Sequence, residues 1–198
     1  MGIQNFNSMN TRSVLTRSTL LICAILAAQL HSFPQDSTNY TVSSPFPSLQ
    51  LTNISATGNL STGAVEIKMQ FQNKSAKLAD IYLSLGTFND FGITDAKGAK
   101  YKVFTNEGLI ESSPINQGFK RISSVSLGNS KLQKVTYLKD TLSGSSDIPF
   151  KVILDRVDKS TMLIKEMHVR CIFSPNHVWA GDQSYQIRNV KINWVKEN

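Results

Sequence analysis

Strict two-residue alternation of apolar and polar side chains is what most limits the folds open to this chain. In Val65-Glu66-Ile67-Lys68-Met69-Gln70-Phe71-Gln72 four apolar residues alternate with four polar ones. Successive side chains of an extended strand point to opposite faces, so one face of this segment is buried and the other wet. The period returns at Ile81, Leu83 and Leu85, at Tyr101 and Val103, from Val135 to Leu138, at Ile148, Phe150, Val152 and Leu154, from Leu163 to Phe173, and from Ile187 to Val195. Between these runs, Asn73–Lys77, Asn89–Gly92 and Asp95–Gly98 carry turn chemistry, with glycine free to take positive φ and Asp or Asn able to bond nearby backbone. No long segment has helical spacing; Asp158–Thr161 and Val125–Leu132 are predicted to hold a helical turn at most. Strands at this spacing predict an all-β protein, an antiparallel β-sandwich of about seven to nine strands. From Thr105 to Ser130, Gly108, Pro114, Gly118 and Gly128 point to a long irregular excursion holding a short strand near Ile122–Leu127, of the kind that carries binding residues on a rigid scaffold.

The N-terminal segment reads as an address. Arg12 and Arg17 precede the apolar run Leu20–Ala28, which breaks at Gln29 and His31 and runs into Ser32-Phe33-Pro34. A basic start, a short apolar core and a polar exit make a secretory signal peptide over residues 1–32, and the run is short of the ~20 apolar residues a spanning helix needs. Cys23 follows Ile22, not the small residue a lipidated cysteine requires, and Met9 is a second candidate start. Residues 33–48, with Pro34, Pro45 and Pro47, are predicted to be an extended leader, and residues 49–198 one domain. The expected location is secreted or periplasmic, not membrane-spanning after cleavage.

Beyond the signal, Cys171 is the single cysteine, so apolar burial must stabilise the domain without an internal disulfide. The formal charge of +7 falls to about +5 without Arg12 and Arg17. Lys97, Lys100 and Lys102, then Lys131, Lys134 and Lys139, are the densest basic groups. They form no stripe with interleaved aromatics, which argues against nucleic acid and leaves a weak attraction to anionic surfaces.

The run Gly63–Ser75, then Ile81–Leu85, then Asp95-Ala96-Lys97-Gly98-Ala99-Lys100-Tyr101 resembles the immunoglobulin-like β-sandwich domains of secreted bacterial proteins, a family of mostly unknown function. In that family a strand ending in Asn precedes a polar turn, and Asp-x-x-Gly-x-x-Tyr opens the next strand. The resemblance covers Leu49 to Trp194 and implies a binding or cell-envelope module with no catalytic residues. The paired cysteines and intervening Trp of antibody domains are missing.

Two constellations carry candidate chemistry. In Pro175–Tyr185, Trp179 and Tyr185 suggest a stacking platform for a sugar or peptide, with His177, Asp182 and Gln183 as hydrogen-bonding partners; the competing reading has these rings close the open end of the fold. In Met167–His177, His168, Cys171 and His177 suggest a zinc or copper site. Alternation sends Cys171 and His168 to opposite faces, so they converge only through a bulge. The acids Asp90 and Asp95 lack EF-hand spacing and read as turn residues. Asn39, Asn53, Asn59 and Asn73 fit the glycosylation sequon, which matters only in a eukaryotic secretory pathway. Gly-x-Ser-x-Gly, phosphate-loop and His-Glu-x-x-His signatures are all absent. The chain is therefore expected to be non-enzymatic and cofactor-free, binding an envelope protein or glycan; the alternative is a small metal-handling protein using Cys171 and His177.

Overall fold

The computed structural model describes residues 40–104, 113–131 and 136–196. The expected signal segment 1–32, residues 33–39 of the expected leader, residues 105–112 of the long excursion and residues 132–135, where the strand expected from Val135 starts, lie outside them. Thr38–Asn198 forms one compact unit. Among the described residues no helix is long and apolar enough to cross a membrane.

Twelve strands follow in order among the described residues: β1 (Thr41–Ser43), β2 (Leu49–Asn59), β3 (Val65–Asn73), β4 (Ala79–Ser84), β5 (Phe91–Asp95), β6 (Lys100–Lys102), β7 (Phe119–Leu127), β8 (Ser130–Lys131), β9 (Tyr137–Leu142), β10 (Asp147–Leu154), β11 (Leu163–Pro175) and β12 (Gly181–Val195). A 3-10 turn, Pro114–Asn116, precedes β7. The helical turn expected within Val125–Leu132 is absent; Val125 and Leu127 lie in β7 and Lys131 in β8.

The sandwich expectation is corrected here. The pairing runs β12-β2-β3-β10-β7-β6-β5-β11 and returns from β11 to β12, so eight strands close into a barrel. Two strands that pass from one layer to the other make the closure. The first three residues of β7 pair in parallel with β6, and from Ile122 onward the strand pairs antiparallel with β10. At the other seam, β12 pairs antiparallel with β11 over Gly181–Lys191, and its Ile192–Val195 end pairs in parallel with Ala56–Asn59 of β2. Near the end of the first part Asn189 takes φ 62°, a left-handed conformation that Asn tolerates better than most side chains. Closure gives every strand of the ring a partner on each side over at least part of its length. Outside it, β4 continues the sheet from the upper half of β11, and β9 pairs with β4.

Two strands escape the alternation for physical reasons. In β2 the apolar phase runs Leu49, Leu51 and then slips to Ile54 and Ala56, because the register shifts between Thr52 and Ser55 and Asn53 turns left-handed at φ 53°. The segment Phe91-Gly92-Ile93-Thr94-Asp95 reads as flanking turns, yet forms β5. Its Gly92 is buried because the Phe88 ring lies over it; a Cβ there would sit 2.7 Å from the ring. Asp95 is buried too, accepting Lys97 N–H at 2.9 Å, Ala99 N–H at 3.0 Å and the Tyr101 hydroxyl at 3.0 Å. That is the physical role of the Asp-x-x-Gly-x-x-Tyr pattern: the carboxylate closes the β5–β6 turn.

Inward-facing residues from all sides fill the barrel. Phe71 packs against Phe150 (5.6 Å) and edge-on against Tyr185 (5.5 Å). Phe46 covers one end, 5.4 Å from Phe173 and 6.2 Å from Tyr185. The stretch read as leader therefore contributes both β1 and an end plug to the folded unit.

Candidate functional site

The β11–β12 connection, residues 176–180, is a pinned loop at the end that Phe46 plugs. Asn176 and His177 both take positive φ, 52° and 60°. His177 N–H donates to Ser174 O, Val178 N–H to Pro175 O, Ala180 N–H to Phe173 O, and Asn176 N–H to Leu78 O at 2.7 Å. A side-chain tie adds to these. His177 Nδ1 lies 2.7 Å from Asp80 Oδ2, and Thr141 Oγ donates to Asp80 Oδ1 at 2.7 Å. Asp80 belongs to β4 and Thr141 to β9, so three elements meet at one carboxylate.

Pinning holds large apolar side chains out in water. Trp179 is 68% exposed, Val178 66% and Leu78 40%. Burial decides this arrangement. Phe46 is buried against Phe173 and Tyr185 while Trp179 stays in water, so the end-plug role that the competing reading gave Trp179 falls to Phe46.

The remaining expected site residues separate. Tyr185 is buried, its hydroxyl donating to Leu49 O at 2.7 Å, and burial raises its pKa. It is part of the core and no partner to Trp179. Asp182 is taken by Arg170, which clamps it with Nε at 2.8 Å and a terminal nitrogen at 2.6 Å while reaching Asp90 at 2.8 Å. Such a two-point fork is the strongest geometry for this pair. Arg170's bonds lower Asp182's pKa; burial pushes Asp90 upward, but the Arg170 and Thr87 bonds outweigh it. Gln183 is exposed beside the loop.

The metal donors are not brought together. Cys171 is buried in the core, and burial raises its thiol pKa. The His168 ring contacts Phe88 O through Nε2 and stands edge-on to the Phe88 ring at 5.2 Å, on the outer wall. His177 sits at the loop with Asp80. Among the described residues no three His, Cys, Asp or Glu side chains are placed to share a cation. Asn73 of the sequons is fully buried and its amide is engaged, so it is no acceptor for sugar in this fold.

Asp80 carries a pH dependence. The Thr141 hydroxyl bond, then the His177 bond, hold its carboxyl below the usual carboxylate pKa. A carboxylate with a depressed folded pKa contributes stability that is present above its unfolded value of about 3.9 and is lost as pH falls through the folded one. Asp80→Asn is expected to lower stability by about 1 kcal/mol near neutrality. The deficit should shrink as melts are repeated toward pH 3; a deficit constant with pH would mean that the tie contributes by shape alone.

Of the residues expected from the sequence, His177 and Trp179 lie on this loop; Asp80, Thr141, Leu78 and Arg170, which surround it or hold its neighbours, were not among them. Asp80 had no local signal, since it sits between Ala79 and Ile81 and its partner lies 97 residues away.

No protein-family model matches the chain, and no curated protein does. Matches to solved structures number 37 chains. One is a PapD-like domain of human CEP192, at 10% identity and TM-score 0.38, covering 79% of this chain and 91% of that one. Another is AggA, the major subunit of Escherichia coli aggregative adherence fimbriae type I, at 12% identity and TM-score 0.39, covering 78% and 96%. A third is the CooA pilin subunit of enterotoxigenic Escherichia coli, at 11% identity and TM-score 0.32, covering 77% and 100%. At these scores the likeness assigns neither a closed fold nor a function to this chain.

Proposed function

We propose that this protein is a non-enzymatic, exported interaction module that grips an envelope protein through the 176–180 loop, with Trp179 as the anchor. The carrying observation is a large aromatic side chain held in water by a loop whose N–H groups at Asn176, His177, Val178 and Ala180 are all bonded. Interface hot spots are rich in Trp, and a preordered loop loses little conformational freedom on docking. The flanking groups favour protein over glycan. Tyr185 is in the core, so the expected pair of rings does not form, and exposed Val178 and Leu78 give the loop an aliphatic rim suited to a protein pocket. The basic and apolar pattern of residues 12–28 supports export.

The test places a photo-crosslinker at position 179 and, as control, at exposed Ser55 of β2, in cells and envelope fractions. One discrete adduct should form at 179 alone. Against that protein, purified, Trp179→Ala should weaken binding about 30-fold, the scale of a hot spot, while the melting temperature stays unchanged. A melting temperature several degrees lower would make Trp179 structural, and identical adducts at both positions would remove the loop from the interface.

A further inference from the structure

We infer that the outer barrel wall over β5, β6 and β7 is a docking surface for an anionic phospholipid membrane. The parallel pairing of β6 with β7 builds it. Lys100 stands opposite Phe119 and Lys102 opposite Arg121, and on the other side Gly92 of β5 stands opposite Lys102. Tyr101 points into the core, so Lys100 and Lys102 point out, and with them Phe119 and Arg121. Adjacent strands lie about 4.8 Å apart, so three cations share a small patch of wall.

The patch is cationic and apolar together. Phe88, lying over Gly92, stacks 5.1 Å from Phe119. Lys100 Nζ stands 5.7 Å from the Phe88 ring centre, and Lys102 Nζ stands 5.0 Å from that of Phe119 and donates to Ile115 O at 2.6 Å. Ile115 itself is 51% exposed. Within the described residues no carboxylate pairs with Lys100, Lys102 or Arg121; Glu166, beyond Thr94, is held by Arg188 at 3.3 Å.

Charge and shape together select the occupant. Lysines beside an exposed aliphatic side chain suit the headgroup boundary of a bilayer, where cations meet phosphates and apolar groups meet acyl chains. Single-stranded nucleic acid needs open ring faces, and here both rings are half-buried with an ammonium held over each. This surface lies on the wall, away from the 176–180 loop, and is independent of what that loop binds.

The experiment measures partitioning of the full chain onto phosphatidylcholine vesicles with and without phosphatidylglycerol. The ratio between the two reads charge and cancels any pull from the apolar run at residues 20–28. Each cation near an anionic surface is worth roughly fivefold, so Lys100→Gln with Arg121→Gln should cut the ratio about 25-fold. Lys74→Gln with Lys131→Gln, the same loss of charge elsewhere, should change it less than about threefold. Equal losses from both pairs would reduce the effect to net charge and overturn the inference. So would a ratio near unity in the unaltered chain, a ratio insensitive to added salt, or full displacement by a single-stranded oligonucleotide or by inorganic phosphate at matched ionic strength.

Discussion

Removing residues 190–198 is expected to abolish cooperative unfolding. That segment holds the seam where β12 joins β2 in parallel and stays joined to the start of β11. It buries Val190 and Ile192, and Trp194 packs over Gly58 while donating its indole N–H to Thr161 O at 2.7 Å. Two aliphatic side chains and most of an indole contribute roughly 6 kcal/mol, comparable to the whole stability of an ordinary domain. Their loss also bares the edge of β2. Near-ultraviolet circular dichroism and a thermal melt check this: the truncated chain should lose its fixed aromatic signal and melt broadly or not at all. A sharp transition within a few degrees of the full chain would mean that the ring need not close. Ile192→Ala is the milder companion, with an expected cost of about 3 kcal/mol.

Asn73→Ala is expected to be the most damaging single polar substitution. The Asn73 side chain is fully buried, donating to Lys77 O at 2.7 Å and Ser143 O at 3.1 Å, and accepting from Ser75 N–H at 3.1 Å and Ser75 Oγ at 2.8 Å. It ties the turn after β3 to the turn between β9 and β10, which approach so closely that a Cβ on Gly144 would lie 2.2 Å from Ala76 O. Alanine strands Ser143 O and the Ser75 N–H at 1–3 kcal/mol each and leaves Lys77 O only the Ser75 hydroxyl, about 4 kcal/mol in all and roughly a 10 °C fall in melting temperature. Asn73→Asp should be no better, because a carboxylate has nothing to donate to those carbonyls. An aspartate variant as stable as the parent would reverse the assigned orientation of the amide.

What the sequence disclosed was periodicity, and periodicity reports that a strand has one buried face without reporting what that face looks into. The alternation of β3, β10 and β11 is the same whether the buried side meets a second layer or the inside of a ring. Closure depends on β7 and β12 changing partners midway, which leaves no mark in composition beyond an unremarkable Asn189. The apolar slip at Asn53 hid β2 by breaking the phase that reveals a strand. At the site, His177 and Trp179 were visible as unusual residues in a polar loop, while the side chains that give them meaning come from β4 and β9. Tyr185 shows the converse: its loop-like surroundings concealed an inward register opposite Val169. The basic wall was hidden in the same way, since Lys102 and Arg121 are far apart in sequence and become neighbours only through a parallel ladder.

The parallel seam between β12 and β2 joins residues near the C-terminus to residues translated long before them. Sequence-distant contacts of this kind form slowly, and domains complete themselves in the order in which they are synthesised. A nascent chain of this protein therefore emerges with the apolar sides of β2, β3 and β10 uncovered until β12 has been made. Its vulnerable interval ends only once β12 can pair with β2, and a holdase that shields those sides is the helper such a molecule needs.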